Sequence, residues 1–550
     1  MGHHAGEKIT PELTDAQWDR LRRYGTPQQT EAGQVLFRAG DRSYDLILVE
    51  TGEVEVVREA LWWTDEEQLA VLGPRTFVGE LGLLNGQRAF LTARAIGPGR
   101  VLRIDHDALQ RMMAEDDELC DLMLRTLWAR REMLRHGPAA WTLKIVGASS
   151  SAESTALRRF AERLELVHTF VDVDDPNLDH NVWDHGYTPE DIPIAIVQGE
   201  IVRNATPGQL AELLGLAYAS EDDIEFDLAV VGAGPAGLAA AIYGASEGLR
   251  TVLLDAVAPG GQSATTSRIE NYLGFPFGVS GDALTSQASL QAFKFGVRIA
   301  APCPVVRLDA ETGVHRLLLA DGKIVRSRAV VVTTGVAYRG LPLDRWDEFE
   351  GHGIHHAASA LELRQVAGSD VVVVGGANSA GQAALALAAN ACRVRLVVRS
   401  GDLSERMSSY LVDRIREDSR IEVRTGTEVA ALHGGDRLER VTLRGPAGEE
   451  VVDGTALFCF IGAVPATDWL VDLERDSAGF VHTGADVLAL GDDWRDLERM
   501  PLPFETSVPR VFAAGDVRRG SMKRVAAAVG EGSSAVASVH QALAMMEVFV

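Results

Sequence analysis

The stretch Phe226–Asp255, FDLAVVGAGPAGLAAAIYGASEGLRTVLLD, decides the fold of most of this chain. An apolar run leads into Gly232, Gly234 and Gly237, an Ala-rich segment opens with Pro235 and Ala236, and a second apolar run ends on Asp255. That order predicts strand, tight turn, helix and strand. The first glycine permits the turn, the second lets a pyrophosphate approach the backbone, and the third lets the helix pack closely, with the helix N-terminus facing the phosphates. Asp255, closing the second strand, is placed to accept hydrogen bonds from a ribose hydroxyl.

The same plan returns in SDVVVVGGANSAGQAALALAANACRVRLVVRS, residues 369–400. Gly375, Gly376, Ala377, Asn378, Ser379 and Ala380 form its turn. Arg399 stands 24 residues after Gly375, where Asp255 stands 23 after Gly232. An acid repels a 2′-phosphate and an arginine attracts one, so this site is expected to take NADPH rather than NADH. Arg406 is either a second partner for that phosphate or a solvated arginine ahead of a helix. Ala377 replaces the second glycine, and its methyl group is expected to weaken binding by crowding the pyrophosphate.

Outward from these two turns, 550 residues imply about four domains. A net charge of -25 argues against nucleic acid and acidic membranes as partners. The first residues, MGHHAGEKIT, hold no apolar core, and no later apolar run is long enough to span a bilayer, so a cytoplasmic protein is expected. Cys120, Cys303, Cys392 and Cys459 form no Cys-x-x-Cys pair. Four buried thiols are expected, with no disulfide framework and no metal set.

Between Gly33 and Asp105, short β-rich runs separated by Gly, Pro and Asp read as a small antiparallel barrel. Helical spacing of apolar residues then predicts one long helix from His106 to Leu134. HGPAA, His136–Ala140, breaks the pattern, and from Trp141 a strand, a helix, a strand, a hairpin and a closing helix follow. An acidic link, Ser220–Asp227, precedes the first dinucleotide turn. The expected units are residues 1–138, 139–219, 226–338, 339–460 and 461–550, the third and fifth forming one domain.

Beyond its two turns, the C-terminal part carries PGGQ at Pro259–Gln262, IENYLGFP at Ile269–Pro276, VVTTG at Val331–Gly335, IGAVPAT at Ile461–Thr467 and TSVPRVFAAGDVRRGS at Thr506–Ser521. In this order they resemble the bacterial thioredoxin reductases, within the pyridine nucleotide-disulphide oxidoreductases. The resemblance implies an FAD domain in two segments around an inserted NADPH domain, in a homodimer. It places Gly335, Gly515 and Asp516 at the FAD, Asp516 on the ribitol, with Gln262 and Asn271 near the isoalloxazine. It also starts a helix near Val525 whose dipole stabilises the anionic reduced flavin.

One departure matters most. Where those reductases carry a Cys-x-x-Cys pair, this chain reads GIHHAASALEL, with Ala357 and Ala360 at the two cysteine positions. A dithiol relay cannot operate there. His355 and His356 beside the gap either donate a proton near the flavin or fill a domain joint.

FVGELGLLNGQRAFLTARA, Phe77–Ala95, resembles the phosphate-binding cassette of cyclic nucleotide-binding domains. The resemblance implies contacts to cyclic AMP or cyclic GMP from Gly79, Glu80, Leu81, Arg88 and Ala89, with Glu80 on the ribose and Arg88 on the cyclic phosphate. Phe90 and Leu91 are bulkier than that pattern expects, so ligand binding and a domain kept for dimerisation or docking both stay open. The unit from Trp141 to Leu216 resembles a thioredoxin fold, with Ile192–Pro193 at the cis-proline position and SSSAES, Ser149–Ser154, at a cysteine-free active turn.

The expected fold class is therefore α/β: two Rossmann-like domains behind a cyclic nucleotide-binding-like β-barrel and a thioredoxin-like domain. The expected function is an NADPH oxidoreductase holding FAD and passing electrons to an unknown acceptor. A ferredoxin or flavodoxin reductase, and a non-catalytic flavin-containing sensor, are the alternatives.

Overall fold

The computed structural model describes residues 9–149, 151–175, 178, 186–218, 224–266, 268–310, 313–350, 352–358, 360–435, 437–488 and 499–547. Two four-stranded antiparallel sheets build the N-terminal barrel. One orders Thr26–Thr30, Gly99–Ile104, Leu46–Thr51 and Phe77–Val78; the other orders Val35–Phe37, Thr92–Ala95, Val54–Arg58 and Glu67–Leu72. Leu46, Ile47, Leu48 and Val49 are all buried in its core. The polar strand Thr26–Thr30, TPQQT, carries no apolar alternation and lies outside the expected barrel limits.

The single helix expected from His106 to Leu134 is two. His106–Glu115 and Asp117–Arg135 are divided at Asp116, whose backbone is extended and whose carboxylate accepts a hydrogen bond from the Leu119 amide at 3.0 Å. The acid caps a new N-terminus instead of continuing the old helix.

The second unit has a four-stranded sheet in the order Thr169–Asp172, Leu143–Gly147, Ile194–Val197 and Glu200–Val202; only the first pair is parallel. Helices Ala152–Arg163 and Pro207–Leu214 accompany it. Ile192–Pro193 is a cis peptide, as the resemblance implied.

The stretch quoted first folds as strand Glu225–Val231, helix Pro235–Ser246 and strand Thr251–Leu254. These strands are parallel neighbours in a seven-stranded sheet that also takes in Ile324–Val332 and, from the far end of the chain, Val511–Ala513. The second turn lies in a five-stranded parallel sheet ordered Ile354–His355, Ala456–Cys459, Asp370–Val374, Arg393–Val398 and Ile421–Thr425. The chain passes between the two sheets through an antiparallel ribbon of Val336–Tyr338 and Ala463–Pro465. Near the C-terminus, Val525–Glu547 packs on Pro235–Ser246 so closely that a Cβ on Gly532 would lie 2.1 Å from the Ala236 carbonyl oxygen.

Candidate functional site

At the first turn, geometry enforces two of the glycines. Gly232 has φ +104°, and a Cβ there would meet the Thr333 carbonyl oxygen at 2.4 Å; a Cβ on Gly237 would lie 1.8 Å from the Gly232 carbonyl oxygen. Gly234 differs, since the nearest atom to an added Cβ is the Gly261 Cα at 3.9 Å. The space beside Gly234 is open, and the first-turn amides of Pro235–Ser246 have no intrahelical acceptors. These features fit a bound pyrophosphate.

Asp255 does more than await a ribose. Its Oδ2 accepts the Ala233 amide at 2.7 Å, and its Oδ1 accepts those of Val257 and Ala258, each at 2.9 Å. Burial raises its carboxyl pKa, and the three backbone donors oppose that rise. Gln262 donates its side-chain amide to the Val336 carbonyl at the start of the ribbon. Asp516 follows Gly515 (φ +77°), its carboxyl raised by burial against the charge of Lys523. Gly335 has φ +65° and open space around it. Asn271 lies in an exposed loop beside Leu273 and Phe277, which are 93% and 86% exposed.

At the second turn, a Cβ on Gly375 (φ +146°) would meet the Phe460 carbonyl oxygen at 2.5 Å. Ala377 is the N-cap of Asn378–Ala389 with φ −109° and ψ 177°, extended backbone that needs no glycine. Its residue is exposed. Asn378 accepts the Ser408 amide at 2.8 Å and so fixes the start of the helix, beside exposed Ser379 and buried Ala380. Arg399 and Arg406 are both exposed, and no acidic side chain among the described residues pairs with either. They fit the demand of a 2′-phosphate for unpaired guanidinium groups.

His355 and His356 have different surroundings. The His355 ring packs 5.1 Å from Phe458, and burial pushes its pKa down to about 4 despite the nearby Glu362 carboxylate. That burial favours the neutral imidazole. His356 Nε2 lies 2.9 Å from Glu350, and its ring is parallel to Tyr338 at 5.5 Å; its Nδ1 is buried without a hydrogen-bond partner among the described residues. Tyr338 also bonds Thr265, which follows Gln262 in the same short helix. Ala357 is half-buried, and Ala360 opens the helix Ala360–Gln365. The four cysteines are buried; burial pushes the Cys303 thiol up to about 12 and those of Cys120 and Cys459 to about 11.

The cassette departs from its expected chemistry. Glu80 Oε1 accepts from the Tyr44 hydroxyl and the Gly82 amide, each at 2.7 Å, and Oε2 accepts from Arg131 at 2.5 Å. Arg131 is 0% exposed, so this is a buried ion pair. Arg88 lines a cavity of about 150 Å³ between the barrel and the second unit, next to Gln198 and Leu214. The barrel's own cavity is about 80 Å³ and is walled by Phe37, Tyr44, Phe90, Leu91 and Arg130. Known small-molecule pockets run from roughly 300 Å³ upward. Gly79, Leu81 and Ala89 pack in the cassette wall, with the Gly79 carbonyl accepting from Arg130 at 2.7 Å. The residues do not fit a cyclic nucleotide in this arrangement: Glu80 is taken and Arg88 faces the neighbouring unit. Sequence reasoning missed Arg131, although Leu127 and Leu134 at i−4 and i+3 put it on the helix's buried face.

A family model described as pyridine nucleotide-disulphide oxidoreductase matches residues 226–532, and one described as cyclic nucleotide-binding domain matches residues 27–116. A thioredoxin reductase of Treponema pallidum is 31% identical over 317 residues, covering 57% of this chain and 95% of the relative. One from Streptomyces clavuligerus is 31% identical over 321 residues, covering 58% and 94%. Among solved structures, a Lactococcus lactis thioredoxin reductase aligns with TM-score 0.52 at 24% identity, over 58% of this chain and 99% of the other, a likeness of fold.

Proposed function

This chain belongs to the pyridine nucleotide-disulphide oxidoreductase family, and from that membership we propose that it is an NADPH oxidoreductase holding FAD at the first turn and NADPH at the second. The observation that carries this reading is the contrast between two similar turns, one ending on a half-buried, backbone-bonded Asp255 and the other on exposed Arg399 with Arg406, neither paired with an acid among the described residues. FAD, when bound, supplies the two-electron carrier between NADPH and an acceptor. The chain's own residues position that exchange. The turn Gly232–Gly237 receives the pyrophosphate, and Arg399 and Arg406 hold the 2′-phosphate. The resemblance supports reading Gln262 and Asp516 as flavin contacts, and His356, oriented by Glu350, is the proton donor of choice over His355.

The acceptor is not reached through a protein dithiol. Ala357 and Ala360 carry no sulfur, and the native thiols are buried and held protonated. A one-electron carrier such as ferredoxin is the second reading, disfavoured by the net charge of -25, which repels an acidic partner. The barrel is read as a docking element rather than a cyclic nucleotide receptor, supported by the Glu80–Arg131 pair. A homodimer fits the exposed apolar loop of Leu273 and Phe277, and a cytoplasmic location remains part of the reading. Anaerobic mixing with NADPH tests the whole. The yellow protein should bleach and recover on adding its acceptor; persistent colour would instead favour a flavin-containing sensor, and fast ferredoxin reduction the carrier reductase.

A further inference from the structure

The helix Ala152–Arg163 begins at the cysteine-free turn of the second unit and runs against the segment that carries Ala357 and Ala360. The Ser149 carbonyl accepts the Gln365 side-chain amide at 2.8 Å, and the Ala152 amide donates to His352 Nε2 at 3.4 Å. Two helical turns on, Arg159 pairs with Glu362 at 2.6 Å, and Arg364 approaches Glu162 at 3.6 Å. Exposed pairs of this kind are weak. The Arg159 pair is different because Glu362 is 1% exposed, and breaking an ion pair whose carboxylate is buried is strongly destabilising. The unit is also held from behind: Arg131 donates to the Glu165 carbonyl at 3.2 Å, the Arg88 amide to the Leu214 carbonyl at 2.8 Å, and Gln198 to the Ala89 carbonyl at 3.0 Å.

We propose that this is a standing interface, in which the second unit occupies the surface of residues 352–365 in cis and closes it to any other protein. The cysteine-free turn of the second unit meets His352 and Gln365, which flank Ala357 and Ala360, without sulfur chemistry. A protein electron acceptor must then approach elsewhere on the reductase. These contacts lie within the chain and do not depend on a bound flavin.

Amide hydrogen exchange on the full chain tests it. Arg159→Ala should speed exchange by roughly tenfold or more in both 152–163 and 360–366, because opening that interface exposes both. Adding Glu362→Gln should recover much of the protection, since a neutral side chain no longer needs the cation. Gln365→Ala removes one hydrogen bond and should raise exchange in the same two segments, by less. A second measurement introduces Ala357→Cys, against a low background because the native thiols are buried. A bulky maleimide should label it roughly tenfold faster when Arg159→Ala is also present. Unchanged exchange in either segment, or equal labelling rates, would overturn the proposal. NADPH bleaching of the flavin reads the proposed function separately.

Discussion

In the proposed reading, Arg399 and Asp255 sort two nearly equivalent sites. Arg399 has no acidic partner among the described residues, so Arg399→Ala should act on ligand rather than on stability. Losing one charged hydrogen-bond partner costs about 1.5–3 kcal/mol. Binding of NADPH should weaken by roughly ten- to a hundredfold while NADH changes little, as titration with both nucleotides would measure. Equal losses would place Arg399 away from the 2′-phosphate. Gly237→Ala tests the other turn, because its Cβ has only 1.8 Å to the Gly232 carbonyl oxygen. The variant should purify without bound flavin, and a stoichiometric yellow product would contradict the assignment. At this scale the glycines were legible because a missing Cβ is a property of sequence. The triple amide grip on Asp255 was not, since its donors follow from how the next loop turns back.

Among the elements, the helix Ala152–Arg163 works through both ends. Just beyond its C-terminal end, burial pushes the Glu165 carboxyl up to about 7, with a bond from Ser286 opposing the shift. The folded chain therefore binds a proton that the unfolded chain, near the ordinary carboxylate value, has released. Between those two values stability falls as pH rises. Thermal denaturation at pH 5 and pH 8 should show this decline in the parent chain and a smaller one in Glu165→Gln; parallel behaviour would remove Glu165 as its source. Helix boundaries were partly legible. The caps at Asp105 and Asp116 are visible in sequence, but the apolar spacing of the combined segment reads through the break. The ribbon of Val336–Tyr338 and Ala463–Pro465 was not legible, because its strands are three residues each and lie far apart in the chain.

Across the whole molecule, the second unit touches the barrel through Arg131 and Leu214 and the helix Ala360–Gln365 through Glu362, while the barrel and the seven-stranded unit meet where Leu290 and Phe293 pack on the barrel core. With Glu80 already paired and a barrel cavity of about 80 Å³, neither cyclic AMP nor cyclic GMP should raise the melting temperature. A ligand at a hundred times its Kd would add about 2.7 kcal/mol to the stability of the unit it binds. A clear upward shift would restore the receptor reading. No described helix is long and apolar enough to cross a membrane. The sequence by itself determined the two dinucleotide turns, the barrel ahead of them and the missing thiols, because glycine spacing, strand alternation and the presence of sulfur are local properties. Only the tertiary structure decided what the cassette's Glu80 and Arg88 face and what pairs with Glu362. Those outcomes depend on side chains from separate units, and no local pattern encodes which buried charge will find which partner.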